Sequence, residues 1–228
     1  MSAASLRARV RAEMTDEIKA VARRHLAADG ANLSLRAVAR DLGMASSAVY
    51  RYVASRDDLL TWLIIDAYDA VGAAAEAAEA AVDRADFTGR WLATCHAVRE
   101  WALANPHEYA LIYGSPVPGY RAPADTVAPA TRVGRLMGRI LADARPDPGE
   151  PVEGPLAAEL DAVAAEVAPG VSAAAMGRGM AAWIHLFGAV SFELFGQLAN
   201  AVDERRAFFD LQMRGAAAVM GLARAPGS

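Results

Sequence analysis

None of the eleven prolines of this 228-residue chain occurs before Pro106. Proline removes a backbone N–H and clashes with the preceding helical turn, so residues 1–105 can form long helices joined by short turns. Their apolar residues keep helical spacing. Ile18, Val21, Ala22 and Leu26 recur every three or four positions, as do Leu59, Leu60, Leu63, Ile64, Ala67 and Val71. A third stripe runs through Trp183, Phe187, Val190 and Leu194. No stretch alternates apolar and polar residues between turn signals, as a half-buried strand does. Four prolines between Pro116 and Pro129, and four more between Pro146 and Pro155, mark two later loops. The pattern predicts an all-α protein of about nine helices. They fall near residues 6–29, 34–41, 46–52, 55–82, 87–104, 106–114, 125–144, 155–167 with a continuation at 172–199, and 203–222.

Composition excludes several classes of function. Hydrophobic residues make up 54% and charged residues 22%, which excludes a wholly disordered chain. The net charge of -4 excludes a histone-like nucleic-acid coat. That charge is unevenly spread. Residues 1–60 carry ten Lys or Arg against seven Asp or Glu, a balance of +3, while residues 61–228 carry -7. A small basic head on an acidic body follows. The single cysteine, Cys95, forbids an intrachain disulfide and any cysteine-cluster metal site. His25, His96, His107 and His185 include no HExxH pair, and His96 with Glu100 reads as an ordinary helix-face contact. No metal or cofactor is expected. Ser115 lies in a Gly-Ser-Pro turn with no nucleophile elbow, and Cys95 and His96 are helix neighbours pointing about 100° apart, so no catalytic group is expected either. The N-terminus has no apolar leader. The longest uncharged run, Gly179 to Phe192, is fourteen residues, short of the roughly 18 that span a bilayer. A soluble, cytoplasmic protein is expected.

The most informative segment runs from Ser34 to Leu60. Ser34 can cap a helix whose apolar face is Leu35, Val38, Ala39 and Leu42. Gly43 can end it in a left-handed conformation. Ser46 or Ser47 is then expected to cap a second, very short helix, which makes a helix-turn-helix. That second helix is unusually polar for a core element. Ser46, Ser47, Tyr50, Arg51 and Tyr52 suit phosphate oxygens and base edges. Ser55 is expected to cap the next helix, with Asp58 completing an approximate capping box. Arg56 beside that helix start would favour a phosphate.

This order of residues resembles the tetracycline-repressor (TetR/AcrR-type) family of bacterial transcription regulators. The resemblance covers about residues 10–65. It is carried by Ala37-Val38-Ala39, Gly43-Met44, Ala45-Ser46-Ser47, Val49-Tyr50-Arg51-Tyr52-Val53, Ser55-Arg56 and Leu59-Leu60. Val53 stands where the family pattern has Phe, and Arg56 where it has Lys. The resemblance implies DNA contacts residue by residue. Ser34 matches a phosphate-contacting cap. Arg36 matches a position that reaches a base edge. Ser46, Ser47 and Ala48 match the base-reading face. Tyr50, Tyr52 and Arg56 match phosphate-contacting positions, and Arg51 could reach either a base or a phosphate.

The C-terminal part resembles a subgroup whose ligand-binding domain is named for its Trp, His and Gly. The resemblance rests on the segments 105–116 and 183–188. It implies that this region binds a small inducer and forms a homodimer. Trp101, Tyr109, Tyr113, Trp183, His185 and Phe192 supply enough aromatic surface for an apolar pocket with a few polar tips. In helix 172–199, Trp183 and Phe187 share one stripe and His185 and Phe192 another. The second stripe is expected to face helices 87–104 and 106–114, and the first a dimer partner. Gly177, Gly179, Gly188, Gly196 and Gly215 suit close helix approach across such an interface.

The sequence thus predicts a helix-turn-helix DNA-binding domain over 1–54. A ligand-binding and dimerisation domain over 55–228 follows, joined to it by helix 55–82. The expected function is that of a homodimeric repressor. A small apolar or aromatic effector releases it from palindromic double-stranded operator DNA. An all-α small-molecule or partner-binding protein without DNA readout remains the alternative.

Overall fold

A computed structural model of the chain describes residues 3–222, and every regular element in that range is helical. The helices are α1 (Ala3–Asp29), α2 (Leu35–Asp41), α3 (Ser46–Val49), α4 (Arg56–Ala80), α5 (Phe87–Ala104) and α6 (Pro106–Tyr113). A short 3-10 turn (Ala124–Thr126) precedes α7 (Val127–Ala130), α8 (Arg132–Ala144), α9 (Pro155–Val167), α10 (Ala173–Leu194) and α11 (Arg205–Met220). The helix expected over 125–144 is therefore broken into three pieces. Pro129 sits inside α7 and gives no N–H to the turn before it, so the helix restarts at Arg132. The helix expected over 172–199 ends early, at Leu194. Gly196 there takes φ +82°, and its N–H and that of Gln197 bond back to the carbonyls of Glu193 and Phe192.

The chain packs as two bodies. The first comprises residues up to Asp69 together with Asn105–Ala130. Its core gathers Ile18, Val21, Ala22 and Leu26 of α1, Leu35, Val38 and Ala39 of α2, Val49 of α3, and Leu59, Leu60 and Leu63 of α4. Both N-terminal stripes read from the sequence are thus buried. A chain of charges runs beside this core. Asp66 of α4 accepts from Lys19 (2.9 Å) and Arg23 (2.7 Å) of α1, and Arg23 also reaches Glu108 of α6 (2.7 Å). Tyr68 donates to the Ile112 carbonyl, and the hydroxyls of Thr61 and Tyr120 share a 2.9 Å hydrogen bond.

The second body comprises Ala70–Ala104 and the chain from Thr131 onward. Helices α5, α8, α9, α10 and α11 pack around it. Its interior is apolar, crossed by specific polar ties. The Trp91 indole donates to the Met213 carbonyl at 2.8 Å. Arg90, fully buried, holds Glu79 at 2.5 Å and Asp143 at 2.8 Å. Arg99 of α5 grips Glu193 of α10 with two parallel hydrogen bonds of 2.7 and 2.5 Å. Cys95 is wholly buried, and burial pushes its thiol well up, away from thiolate chemistry. The neighbouring His96 turns to Asp210 of α11 at 3.1 Å.

The Arg99–Glu193 side chains are only 8% and 7% exposed, so removing one partner strands the other charge in the interior. Glu193→Ala should cost about 3–5 kcal/mol, whereas Arg99→Met combined with Glu193→Leu should cost much less. Urea unfolding at constant slope measures both. Equal losses in the single and double variants would show that desolvation of an orphaned charge is not the dominant cost.

Candidate nucleic-acid interface

The turn between α2 and α3 decides what the short helix presents. Gly43 lies at φ +66°, where only glycine sits without strain. The Gly43 N–H donates to the Arg40 carbonyl at 3.0 Å and the Met44 N–H to the Ala39 carbonyl at 2.8 Å. These two bonds satisfy the otherwise orphaned carbonyls at the end of α2. The tight closure leaves Ala45, not a serine, as the extended residue before α3. The expected capping role of Ser46 and Ser47 is therefore corrected. Both lie inside the first turn of α3, exposed to solvent, with no cap bond to the backbone. The helix is also shorter than expected, Ser46–Val49 rather than 46–52. Residues 50–52 continue as turns, with the Tyr52 N–H bonded to the Val49 carbonyl at 2.9 Å.

The other candidates surround this helix. Ser34 caps α2 as expected, its Oγ accepting the Ala37 N–H at 3.4 Å. Arg36 follows on α2 and is exposed. Ser34, Arg36, Tyr50, Ser55 and Arg56 line one open groove of about 460 Å³ between the start of α2 and the start of α4. Tyr50 is half exposed there. Val49 is fully buried and roots α3 in the core, Ala48 is partly buried, and Arg51 is exposed. Tyr52 differs from its neighbours. Its ring packs on the core, and the Arg11 guanidinium lies 5.4 Å from its centroid.

Ser55 and Asp58 form the expected cap of α4. The Asp58 N–H donates to Ser55 Oγ at 3.0 Å, and that hydroxyl donates to the Asp58 carboxylate at 2.8 Å. Asp57 and Asp58 place two negative charges in this first turn. The cations that line the groove are therefore Arg36 and Arg56, the latter 3.3 Å from the Asp57 carboxylate, and the helix end adds no positive charge. Arg56 is held by a 2.7 Å hydrogen bond to the Ala31 carbonyl, which fixes the direction of its guanidinium.

The six aromatic and histidine candidates divide between the two bodies. Tyr109 and Tyr113 belong to the first. Tyr109 is fully buried, and its ring lies 5.1 Å from that of Tyr113, which meets Tyr68 edge-on at 5.8 Å. Burial, with Tyr68 and Tyr109 alongside, pushes the Tyr113 phenol far up. Trp101, Trp183, His185 and Phe192 belong to the second body. Trp101 is half-buried, and Trp183 meets Phe187 edge-on at 5.6 Å.

The orientation expected for α10 is corrected in part: Phe187 turns inward, whereas Trp183 stays outward at 41% exposure. Its buried face carries Ala182, Leu186, Val190 and Glu193, the last held by Arg99 of α5. His185 and Phe192 lie instead on the exposed face. His185 opens into a groove of about 350 Å³ toward α11, with Arg178 and Gln212. Ile184 (60% exposed), Phe192 (57%), Leu211 (66%) and Val219 (62%) make the exposed faces of α10 and α11 apolar. The cause is the 3.6-residue repeat. Glu193, tied inward, places positions 182, 186 and 190 inward with it and leaves 185 and 192 outside. The glycines also separate by role. A Cβ at Gly179 would meet Leu141 of α8 at 2.8 Å, whereas Gly188 and Gly215 face open space.

Among known proteins, residues 91–216 match the family model described as a tetracyclin repressor-like C-terminal domain. HTH-type transcriptional regulator Rv1816 of Mycobacterium tuberculosis is 37% identical over 225 residues, covering 92% of this chain and 93% of that protein. The Mycobacterium bovis regulator Mb1846 matches to the same extent. The crystal structure of the regulatory protein SCO4313 is 33% identical with a TM-score of 0.77, covering 92% of this chain and 98% of that one. The TetR-family transcriptional regulator PfmR of Thermus thermophilus shares the fold, with 20% identity, a TM-score of 0.55 and coverage of 91% and 99%. Family model, relatives of matching length and a common fold agree with the helix-turn-helix built above: this chain belongs to the TetR family of regulators.

Proposed function

We propose that this protein is a homodimeric, ligand-responsive repressor, its head (residues 1–54) reading one half of a palindromic DNA operator and its body (residues 55–228) binding a small molecule. The observation that carries the DNA-binding role is the groove that gathers Ser34, Arg36, Tyr50 and Arg56 beside the exposed serines of α3. Hydroxyls and guanidinium groups converge there on one strip, the donor set that phosphate oxygens require. Ser46, Ser47 and Ala48 then stand at the major-groove edge, with Arg36 able to pair with a guanine. Arg51, exposed in the turn after α3, is assigned to the DNA as well, at a base or at a phosphate.

Dimerisation is supported by the exposed apolar faces of α10 and α11, since contiguous apolar surface of this kind is what a protein interface buries. A two-fold arrangement sets two α3 helices about one DNA turn apart. We assign His185 and Phe192 to this interface, and Trp101 and Trp183 of the second body to the neighbourhood of an apolar or aromatic effector. The two segments that suggested a Trp-His-Gly ligand domain include Tyr109, Tyr113, Trp183 and His185. The effector acts by binding more tightly to a dimer whose heads are wrongly spaced for the operator. The role is one of binding rather than catalysis. No described helix is long and apolar enough to cross a membrane, in keeping with a cytoplasmic regulator.

The primary test is selection of a duplex from a random pool by the full chain; enrichment of no sequence would overturn the DNA-binding role. On the selected duplex, Tyr50→Phe and Arg56→Ala should weaken binding alike at every base sequence. Arg56→Ala should also lower the slope of log K against log[salt] by about one. A base-specific loss from Arg56→Ala would move that residue to the reading face.

Arg36→Ala should cost roughly 1–3 kcal/mol, and only on duplexes that keep its guanine. An unchanged base preference at every position would remove Arg36 from the reading set.

Sedimentation tests the assembly. Leu211→Asp with Phe192→Asp should shift the chain to monomer at micromolar concentration and abolish operator binding, whereas Ser46→Ala should leave the dimer intact. A dimer that survives both aspartates would place the interface elsewhere.

A further inference from the structure

The first turns of α1 reach beyond the core of the head. Core contact on this helix begins at Met14, and residues 5–13 are all exposed. At about 1.5 Å per residue, α1 overhangs the core by some three turns. The overhang carries Arg7, Arg9 and Arg11, with no acidic residue before Glu13. Arg9 is engaged by Glu13 at 2.8 Å. Arg7 and Arg11 are four apart, and the same face continues through Met14 and Ile18 into the core. That face is therefore turned toward the body of the head. The Arg11 guanidinium lies over the ring of Tyr52, in the turn that follows α3 and two residues along the chain from Tyr50 of the strip described above.

We infer that Arg7 and Arg11 on the overhanging turns of α1 form a second DNA contact, gripping backbone phosphates that flank the segment read by α3. The inference rests on the DNA-binding role proposed above. The guanidinium held over the Tyr52 ring is a planar fork of N–H donors, which matches the oxygens of a phosphate. The pair supplies two of the ten basic residues that give residues 1–60 their balance of +3. Phosphate contacts carry no base information, so the contact extends affinity and footprint rather than sequence preference.

The test compares Arg7→Gln, Arg11→Gln and the double variant of the full chain with the wild type. The probe is the duplex selected by the wild-type chain, either trimmed to its site or carrying about one helical turn of flanking DNA at each end. On the flanked duplex the double variant should lower the salt slope by about two per protomer, and Arg7→Gln alone by about one. Hydroxyl-radical protection of the flanking sugars should disappear while that of the site remains. On the trimmed duplex all four proteins should bind alike. Equal losses on both duplexes would show that Arg11 acts only by holding Tyr52, and would overturn the inference. So would an Arg7→Gln variant indistinguishable from wild type on the flanked duplex, which leaves this face to a protein partner. A wild-type chain that enriches no duplex overturns the parent role and this contact with it. Loss confined to the arginine variants on a duplex that Arg56→Ala also weakens supports both.

Discussion

The two hydrogen bonds that close around Gly43 set the register of the whole surface proposed to face DNA. With the Gly43 N–H on Arg40 and the Met44 N–H on Ala39, the chain leaves α2 in one direction and cannot begin α3 before Ser46. Val49 then falls into the core, and Ser46 and Ser47 fall outside it. A side chain at position 43 would have open space around it, so the constraint there is backbone conformation rather than packing. Had a serine capped α3, its hydroxyl would be committed to a backbone N–H rather than turned to solvent. The same closure brings Tyr50 back toward Ser34 and Arg36, which is why the groove exists.

The body is organised by a different constraint. Its helices are rich in alanine, and such small side chains leave the rotation of a helix about its own axis weakly specified. Buried ion pairs supply the missing specification. Arg99 on Glu193 fixes α10 against α5, and Arg90 on Glu79 and Asp143 fixes the end of α4 and of α8 against α5. Such pairs contribute little net stability, but each misregister would leave a charge buried and alone. The rotation they set for α10 turns Ile184, His185 and Phe192 outward, and with them the apolar face proposed for a second copy.

Much of this was legible in the chain. The absence of proline before Pro106, the apolar spacing and the polar character of α3 are local properties, and local properties fix helix type and caps. Helices α5 and α9 have the bounds read from the sequence, and the caps at Ser34 and Ser55 form as expected. Where a proline or a left-handed glycine acts inside a predicted helix, the local signal was present but its position was set by a competing turn. Pro129, Gly196 and Gly221 are the three cases.

What the sequence determined alone is the helical class, the helix-turn-helix and the donors along it, because each follows from residues within one or two turns of one another. What only the tertiary structure decided is which way each amphipathic face points. Helix α10 is apolar on more than one side, so periodicity could not choose between the stripe of Phe187 and that of Phe192. The choice came from Glu193, whose partner Arg99 lies 94 positions away in the chain. Arg11 and Tyr52 meet for the same reason, across 41 positions that no local pattern connects. Charge pairing and ring stacking over such separations exist only once the chain has folded, because it is the packing of the intervening helices that brings the groups within reach.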